Sequence, residues 1–335
     1  MPATVWRLTS RAPILLLMVK KIPSGPTHLT VRMRRRLLAL AVLLVALYVL
    51  VPQVGSLSSS WHVLRQARLG YVALGLGAMA ATYLVAATTY TFLAKRPLRF
   101  GWTLAVQVSG SFINRLLPAG IGGMSLNAQY LRTHRHTFNE ALAVVGTNNL
   151  MGVVGNDLLI CSSIAFGGLS WRHVHLPSLS IPWYVAVFAG GALLLNLLVF
   201  RHLRIALANG IAGVAHTLAG YRHRPWRLIG ALVSSMTLTL LHVVILWCAG
   251  QAVDLSLPLA AYVLVFSIGA LTGAATPTPG GLVGVEAGLT AGLVAYGVEP
   301  GQALATALLS RLLTYWLPLL PGSITYLLVR KSLRI

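Results

Sequence analysis

The sequence is poor in acid. Of 335 residues only five are Asp or Glu, against 26 Lys and Arg, and charged residues make up 9% of the chain. A soluble domain carries about one quarter charged residues, so an ordinary soluble fold is excluded. Cysteine is also scarce. Cys161 and Cys248 both lie within apolar runs; they read as packed thiols and provide neither a disulfide framework nor metal-ligand spacing. Catalytic signatures are missing as well: no Gly-x-Ser-x-Gly elbow, no phosphate-cradling P-loop and no His/Cys metal spacing. No polar stretch is long enough for a separate catalytic domain. The expectation is a protein that is not an enzyme and that carries no cofactor and no metal.

What is present is apolar sequence. Hydrophobic residues make up 56% of the chain, and the mean hydropathy is +0.77. Several runs reach the ~20 apolar residues a bilayer crossing needs. The expected fold class is an all-α polytopic membrane protein. A net charge of +21 first suggests nucleic acid. The Lys and Arg, however, sit mostly in short segments between apolar runs, not on one soluble module. That is the pattern of cytoplasmic loops, and it attracts anionic head groups. The expected partners are membrane phospholipids, with no nucleic acid.

Six runs read as full spans: 37–54, 70–94, 140–169, 181–200, 228–250 and 301–329. Two further regions, 103–131 and 258–297, are apolar but broken in the middle by Pro and Gly. The arms of the first, about 15 and about 12 residues, fall short of a crossing, so they enter and return on one side. The second has longer arms, and two tilted spans remain open there. Charge arbitrates. With both regions re-entrant, 21 Lys and Arg fall inside, and three (Arg65, Arg68 and Arg172) fall outside. This favours that topology, with both termini in the cytoplasm. Residues 1–32 read as a disordered basic tail, with Met33 as an alternative start, and 33–335 as the integral membrane domain. Residues 203–221 read as an amphipathic stretch on the head groups, or as an ordinary loop helix.

The two broken regions echo one another. Pro118-Ala-Gly-Ile-Gly-Gly aligns with Pro279-Gly-Gly-Leu-Val-Gly, and "NEALA" at 139–143 aligns with "GQALA" at 301–305. The same register sets Asn149 opposite Arg311. The units, about 70–169 and 228–329, are linked by the span 181–200 and the stretch 203–221, and they face opposite ways. Inverted units with helices interrupted at matching positions point to the binding site of a transporter.

Pro removes a backbone donor and Gly lets the chain turn. Broken backbone at membrane depth is tolerated only beside protein or a water-filled cavity. The half-helix N-termini after Pro118 and Pro279 would attract an anion. In "SFINRLLPAGIGGMSLNAQYL", residues 111–131, Asn114, Arg115, Gly120, Gly123 and Asn127 surround the first break. An Arg in mid-membrane costs about 2.5–3.5 kcal/mol. Arg115 therefore faces an interior partner or cavity, or else snorkels to the head groups. Arg311 lies ten residues inside a long span and is followed by Tyr315. Asp157 and Glu286 are the acids at depth. They balance these arginines, hold a cationic head group, or lock helices together as structural pairs. Asn149, with Asn148 and Asn156, offers polar surface to a ligand or to a neighbouring helix.

These stretches, with "EALAVVGTNN", "TPTPGGLVGVEAGL" and "SRLLTYWLPLLPG", resemble the transmembrane region of bacterial lysylphosphatidylglycerol synthases over about residues 37–330. The resemblance implies that Asn114, Arg115, Pro118, Gly120, Gly123, Pro279, Gly280, Gly281, Glu286, Arg311 and Tyr315 lie on a lipid path. In the full synthases, the membrane part is held to move aminoacylated phosphatidylglycerol between leaflets, and a separate cytoplasmic domain makes that lipid. No such domain is read in this sequence, so synthase activity is not expected. Stand-alone members are described as flippase-like. The resulting expectation is a lipid translocator handling a phospholipid or modified phospholipid. The alternative is a non-transporting membrane subunit that supports lipid-linked glycan or envelope synthesis, with envelope-biosynthesis enzymes as partners.

Overall fold

The computed structural model describes residues 66–117, 121–166, 221, 224–276 and 278–333. Every regular element among the described residues is helical: α1 (Leu69–Leu93), α2 (Phe100–Leu116), α3 (Ile121–Thr133), α4 (Phe138–Phe166), α5 (Pro225–Ala252), α6 (Leu259–Ala275), a 3-10 turn (Pro279–Gly281), α7 (Gly284–Ala295), α8 (Pro300–Arg311), a π turn (Leu312–Trp316) and α9 (Leu319–Leu333). The expected tail 1–32, the spans 37–54 and 181–200, and all of the stretch 203–221 except Tyr221 lie outside the described residues.

Local chemistry sets several boundaries. Pro225 and Pro300 open α5 and α8 at positions where a missing N–H costs nothing. A capping box opens α4: the Thr137 N–H donates to Glu140 Oε2 at 3.0 Å, and the Glu140 N–H donates to Thr137 Oγ1 at 3.3 Å. The Glu299 side chain accepts from the Gln302 N–H at 3.0 Å to start α8. Three helical stretches among the described residues, Leu69–Leu93, Pro225–Ala252 and the continuous Pro300–Ser332, combine the length and apolarity of a membrane crossing. Their outward faces carry Leu69, Leu74, Ile229, Val233, Leu320, Ile324 and Leu327, all exposed. A contiguous greasy exterior on this scale belongs in lipid. The chain is a multi-pass membrane protein.

The broken regions fold as antiparallel helical hairpins. In the first, polar ties step along α2 and α3. Thr103 and Tyr130 share a hydroxyl hydrogen bond at 2.9 Å, and Gln107 Nε2 donates to Asn127 Oδ1 at 2.8 Å. Nearer the break, the Gly123 N–H donates to Asn114 Oδ1. The second hairpin uses small residues instead. A methyl group on Gly288 of α7 would lie 2.9 Å from Gly269 Cα of α6. Backbones can approach that closely only where side chains are missing. Gly288→Val is therefore expected to lose about 1–3 kcal/mol through overpacking. Gly77→Ala, in open space on α1, is expected to leave thermal unfolding in detergent unchanged or raise it. The arms of the second hairpin, 17 and 12 residues, are no longer than the 17 and 13 of the first.

The remaining helices hold the hairpins. α1 packs along α5. The first hairpin leans on α9, where Phe112 meets Tyr326 at 5.9 Å between ring centroids. The second leans on α4, where Ser267 Oγ donates to Asn156 Oδ1 at 3.3 Å. Leu246, Tyr262, Val265, Leu289 and Leu293 fill the largest buried cluster.

One buried titratable group lies in the loop between α3 and α4. His136 Nδ1 donates to the Leu131 carbonyl at 3.1 Å, and its Nε2 is buried with no partner. Burial pushes this imidazole below its ordinary value, aided by Arg96 and opposed by the Leu131 carbonyl and Glu140. The unfolded chain thus binds the proton first as pH falls. The stabilising contribution is full above the ordinary imidazole range, near pH 6.5, and is lost as pH drops through it. The fall in unfolding temperature between about pH 7.5 and about pH 5.5 is expected to shrink in His136→Gln.

Candidate functional site

The second hairpin break meets the end of α2. Gly280, in the second break, sits so close to the Tyr315 ring that any side chain there would collide with it, and a Cβ would lie 3.4 Å from Arg115 Cα in the last turn of α2. The backbone makes room through left-handed conformations at Gly280 (φ 60°), Gly281 (φ 68°) and Val283 (φ 71°). The last is β-branched, and such a conformation costs roughly 1–3 kcal/mol. Pro279 opens only the one-turn 3-10 helix, so α7 begins at Gly284 and not directly after the proline.

Arg115 is 8% exposed. Its Nη1 donates to the Ser111 carbonyl at 2.6 Å and its Nη2 to the Thr314 carbonyl at 2.5 Å. The second acceptor has a local cause. Four residues after Thr314 stands Pro318, which has no N–H to offer. The helix here is also widened, with the Leu317 N–H reaching Leu312 at 3.0 Å. The Thr314 carbonyl is therefore left without its in-helix donor, and Arg115 supplies one. Tyr83 lies beside the same guanidinium, and its hydroxyl shares a hydrogen bond with Ser111 Oγ at 3.1 Å.

Arg311 is also 8% exposed. Its Nε donates to Glu286 Oε1 at 2.7 Å and its Nη2 to the Gly280 carbonyl at 3.1 Å. Tyr315 joins the two arginines. Arg311 Cζ lies 4.7 Å, and Arg115 Cζ 5.7 Å, from its ring centroid, within cation–π range. Its hydroxyl donates to the Arg115 carbonyl at 3.3 Å. The site thus gathers two guanidinium groups and one carboxylate. Among the described residues the other ion pairs, Arg68 with Asp254 and Lys95 with Glu140, lie elsewhere. Arg115 has no carboxylate partner among the described residues, and the cluster carries one surplus positive charge. An uncompensated charge at such a place is costly until an anion joins it.

Other expected site residues fall outside this cluster. Asn114 is bonded to Gly123. Asn127 is used within the first hairpin, by Gln107 and by the Gly123 carbonyl at 2.9 Å. Asn149 is exposed and reaches Met124 Sδ at 3.1 Å. Asp157 is exposed on α4 and makes no ion pair with either arginine. Pro118 and Gly120 lie outside the described residues. Sequence reading missed Tyr83, Ser111 and Thr314. For Thr314 a signal existed: a proline four residues on in an apolar helix predicts an orphaned carbonyl.

A family model described as the lysylphosphatidylglycerol synthase TM region matches residues 36–322. Comparison with curated proteins gives no match.

Proposed function

The chain belongs to the lysylphosphatidylglycerol synthase TM-region family, and on that premise we propose that it is a flippase-like lipid translocator of the bacterial inner membrane, with no catalytic step of its own. The observation that carries this reading is the surplus guanidinium of Arg115, buried where the second hairpin break meets the end of α2. An anionic phosphate would neutralise the cluster. Arg guanidinium matches phosphate geometry well, while the acyl tails remain in the bilayer. Asn149 and Asp157, eight residues apart on one exposed face of α4, would line the approach of the head group.

Two features support re-entrant hairpins in an inverted repeat. The longest hairpin arm, 17 residues, spans about 26 Å, short of the ~30 Å hydrocarbon core. The packing is also reciprocal. The hairpin of the first unit docks on the last helix of the second unit, and the hairpin of the second docks on the last helix of the first. Lys and Arg in the short connections favour cytoplasmic termini.

The test is purified protein in liposomes with labelled phospholipids and a leaflet-resolved readout. Movement faster than in protein-free vesicles is expected. Equal rates would overturn transport and favour a supporting role in envelope-lipid synthesis, for which copurification with a glycosyltransferase is the check.

A further inference from the structure

We propose that Glu286 is a proton-binding site linked to the anion site, so that head-group binding draws a proton onto Glu286 Oε2 and lipid and proton move together. The proposal rests on the lipid reading above. Its starting point is an unused atom. Arg311 Nε holds Oε1 of Glu286, but Oε2 is buried with no hydrogen-bond partner among the described residues. One turn further along α7, Thr290 Oγ1 is likewise buried and unpartnered. Other threonines in these helices, Thr272, Thr276, Thr306 and Thr314, each donate back to a carbonyl of the preceding turn. The α7 face therefore keeps a buried carboxylate oxygen and a buried hydroxyl with no partner among the described residues. A proton on Oε2 converts a stranded acceptor into a donor.

The linkage follows from the commitments of Arg311. It holds Glu286 and the Gly280 carbonyl at once. To engage a phosphate it must share or release Glu286. A carboxylate that loses its cation in a buried place is strongly disfavoured as an anion, and taking up one proton from the solvent changes its charge from −1 to 0. Conversely, a protonated Glu286 releases Arg311 and leaves two uncompensated guanidinium groups for the anion. Proton and anion thus strengthen each other's binding, and the coupling is reciprocal.

Among the described residues, the charged and titratable groups facing Glu286 are few. Arg311 comes from α8, Tyr315 from the π turn and Arg115 from α2. The rest of α7 has no ionisable side chain, and the tyrosine of α6, Tyr262, packs at the far end of that helix against Gly250. The imidazole to be told apart from Glu286 is His242 on α5. Its Nδ1–H donates to the Leu238 carbonyl at 2.8 Å, and its ring lies 5.8 Å from that of Phe266.

The test titrates the detergent-purified full chain with dihexanoyl phosphatidylglycerol, whose phosphate stays a monoanion throughout. Calorimetry runs at about pH 5.5 and about pH 8, in buffers of differing protonation enthalpy. Wild type is expected to take up protons on binding near the upper pH and to bind about tenfold or more tightly near the lower. Glu286→Gln is expected to bind with no uptake and equal affinity at both. His242→Gln is expected to keep the wild-type dependence. Wild-type binding without proton uptake overturns the coupling and leaves the lipid reading standing. Coupling that survives Glu286→Gln, or is lost in His242→Gln alone, overturns the assignment to Glu286. No binding at either pH overturns both readings. Infrared difference spectra of wild type decide the matter if Glu286→Gln does not fold. A protonated-carboxyl carbonyl band that appears with the lipid and shifts down in heavy water, as the lipid's own ester carbonyls do not, supports the proposal, and its absence overturns it.

Discussion

Arg115→Ala is expected to weaken binding of an anionic phospholipid by about 10- to 150-fold, the equivalent of about 1.5–3 kcal/mol for hydrogen bonds to a charged group. Leaflet exchange in liposomes should fall with it. The variant removes the one cation of the cluster that lacks a carboxylate partner among the described residues. It also leaves the Thr314 carbonyl without a donor, and an unsatisfied buried acceptor costs about 1–3 kcal/mol of stability. The two effects separate with Arg115→Lys. Lysine keeps the charge but is a point donor on a flexible stem, so it cannot bridge Ser111 and Thr314 while also facing a phosphate. Its affinity should lie between wild type and alanine. Calorimetry beside thermal unfolding reads both quantities. Wild-type affinity in a folded Arg115→Ala protein would place the anion elsewhere.

Glu286→Ala is expected to have the largest effect on stability. Breaking a buried ion pair by removing one partner costs about 3–5 kcal/mol, because the other charge is left behind. Here that charge is Arg311, which retains only the Gly280 carbonyl and the Tyr315 ring. Adding Arg311→Ala should recover a large part of the loss, since the stranded cation goes too. The signature is a double variant more stable than Glu286→Ala alone, measured by chemical unfolding in detergent. A double variant whose loss equals the sum of the two singles would mean that the pair at 2.7 Å contributes no coupling.

How much of this was legible in the sequence depends on the range of the interaction. The membrane-length helices at 69–93, 225–252 and 300–332 follow from apolar run length alone, and the breaks follow from Pro and Gly. Arg115, Arg311 and Glu286 stood out because charge at depth is expensive, and Tyr315 through the family resemblance. Their mutual geometry did not. Asp157 met the same criterion as Glu286, yet only Glu286 reaches Arg311. Sequence carries no mark of which helix face turns inward when apolar residues lie on every side. Asn114 and Asn127 read as site residues, and the structure adds what the sequence does not show, that their side chains bond within the first hairpin, Asn114 to Gly123 and Asn127 to Gln107 and Gly123. The left-handed Val283 had no signal, because valine is the last residue expected there.

The π turn at Leu312–Trp316 sets the azimuth of everything after it. Each residue rotates an α-helix by about 100°, so deleting a single position from this turn would swing Gly322 and Tyr326 away from Phe112 and unseat the first hairpin. A frame-preserving loss of one residue here should therefore do more harm than most substitutions in α9. The insertion that widens this helix is also the key that registers α9 on the first hairpin.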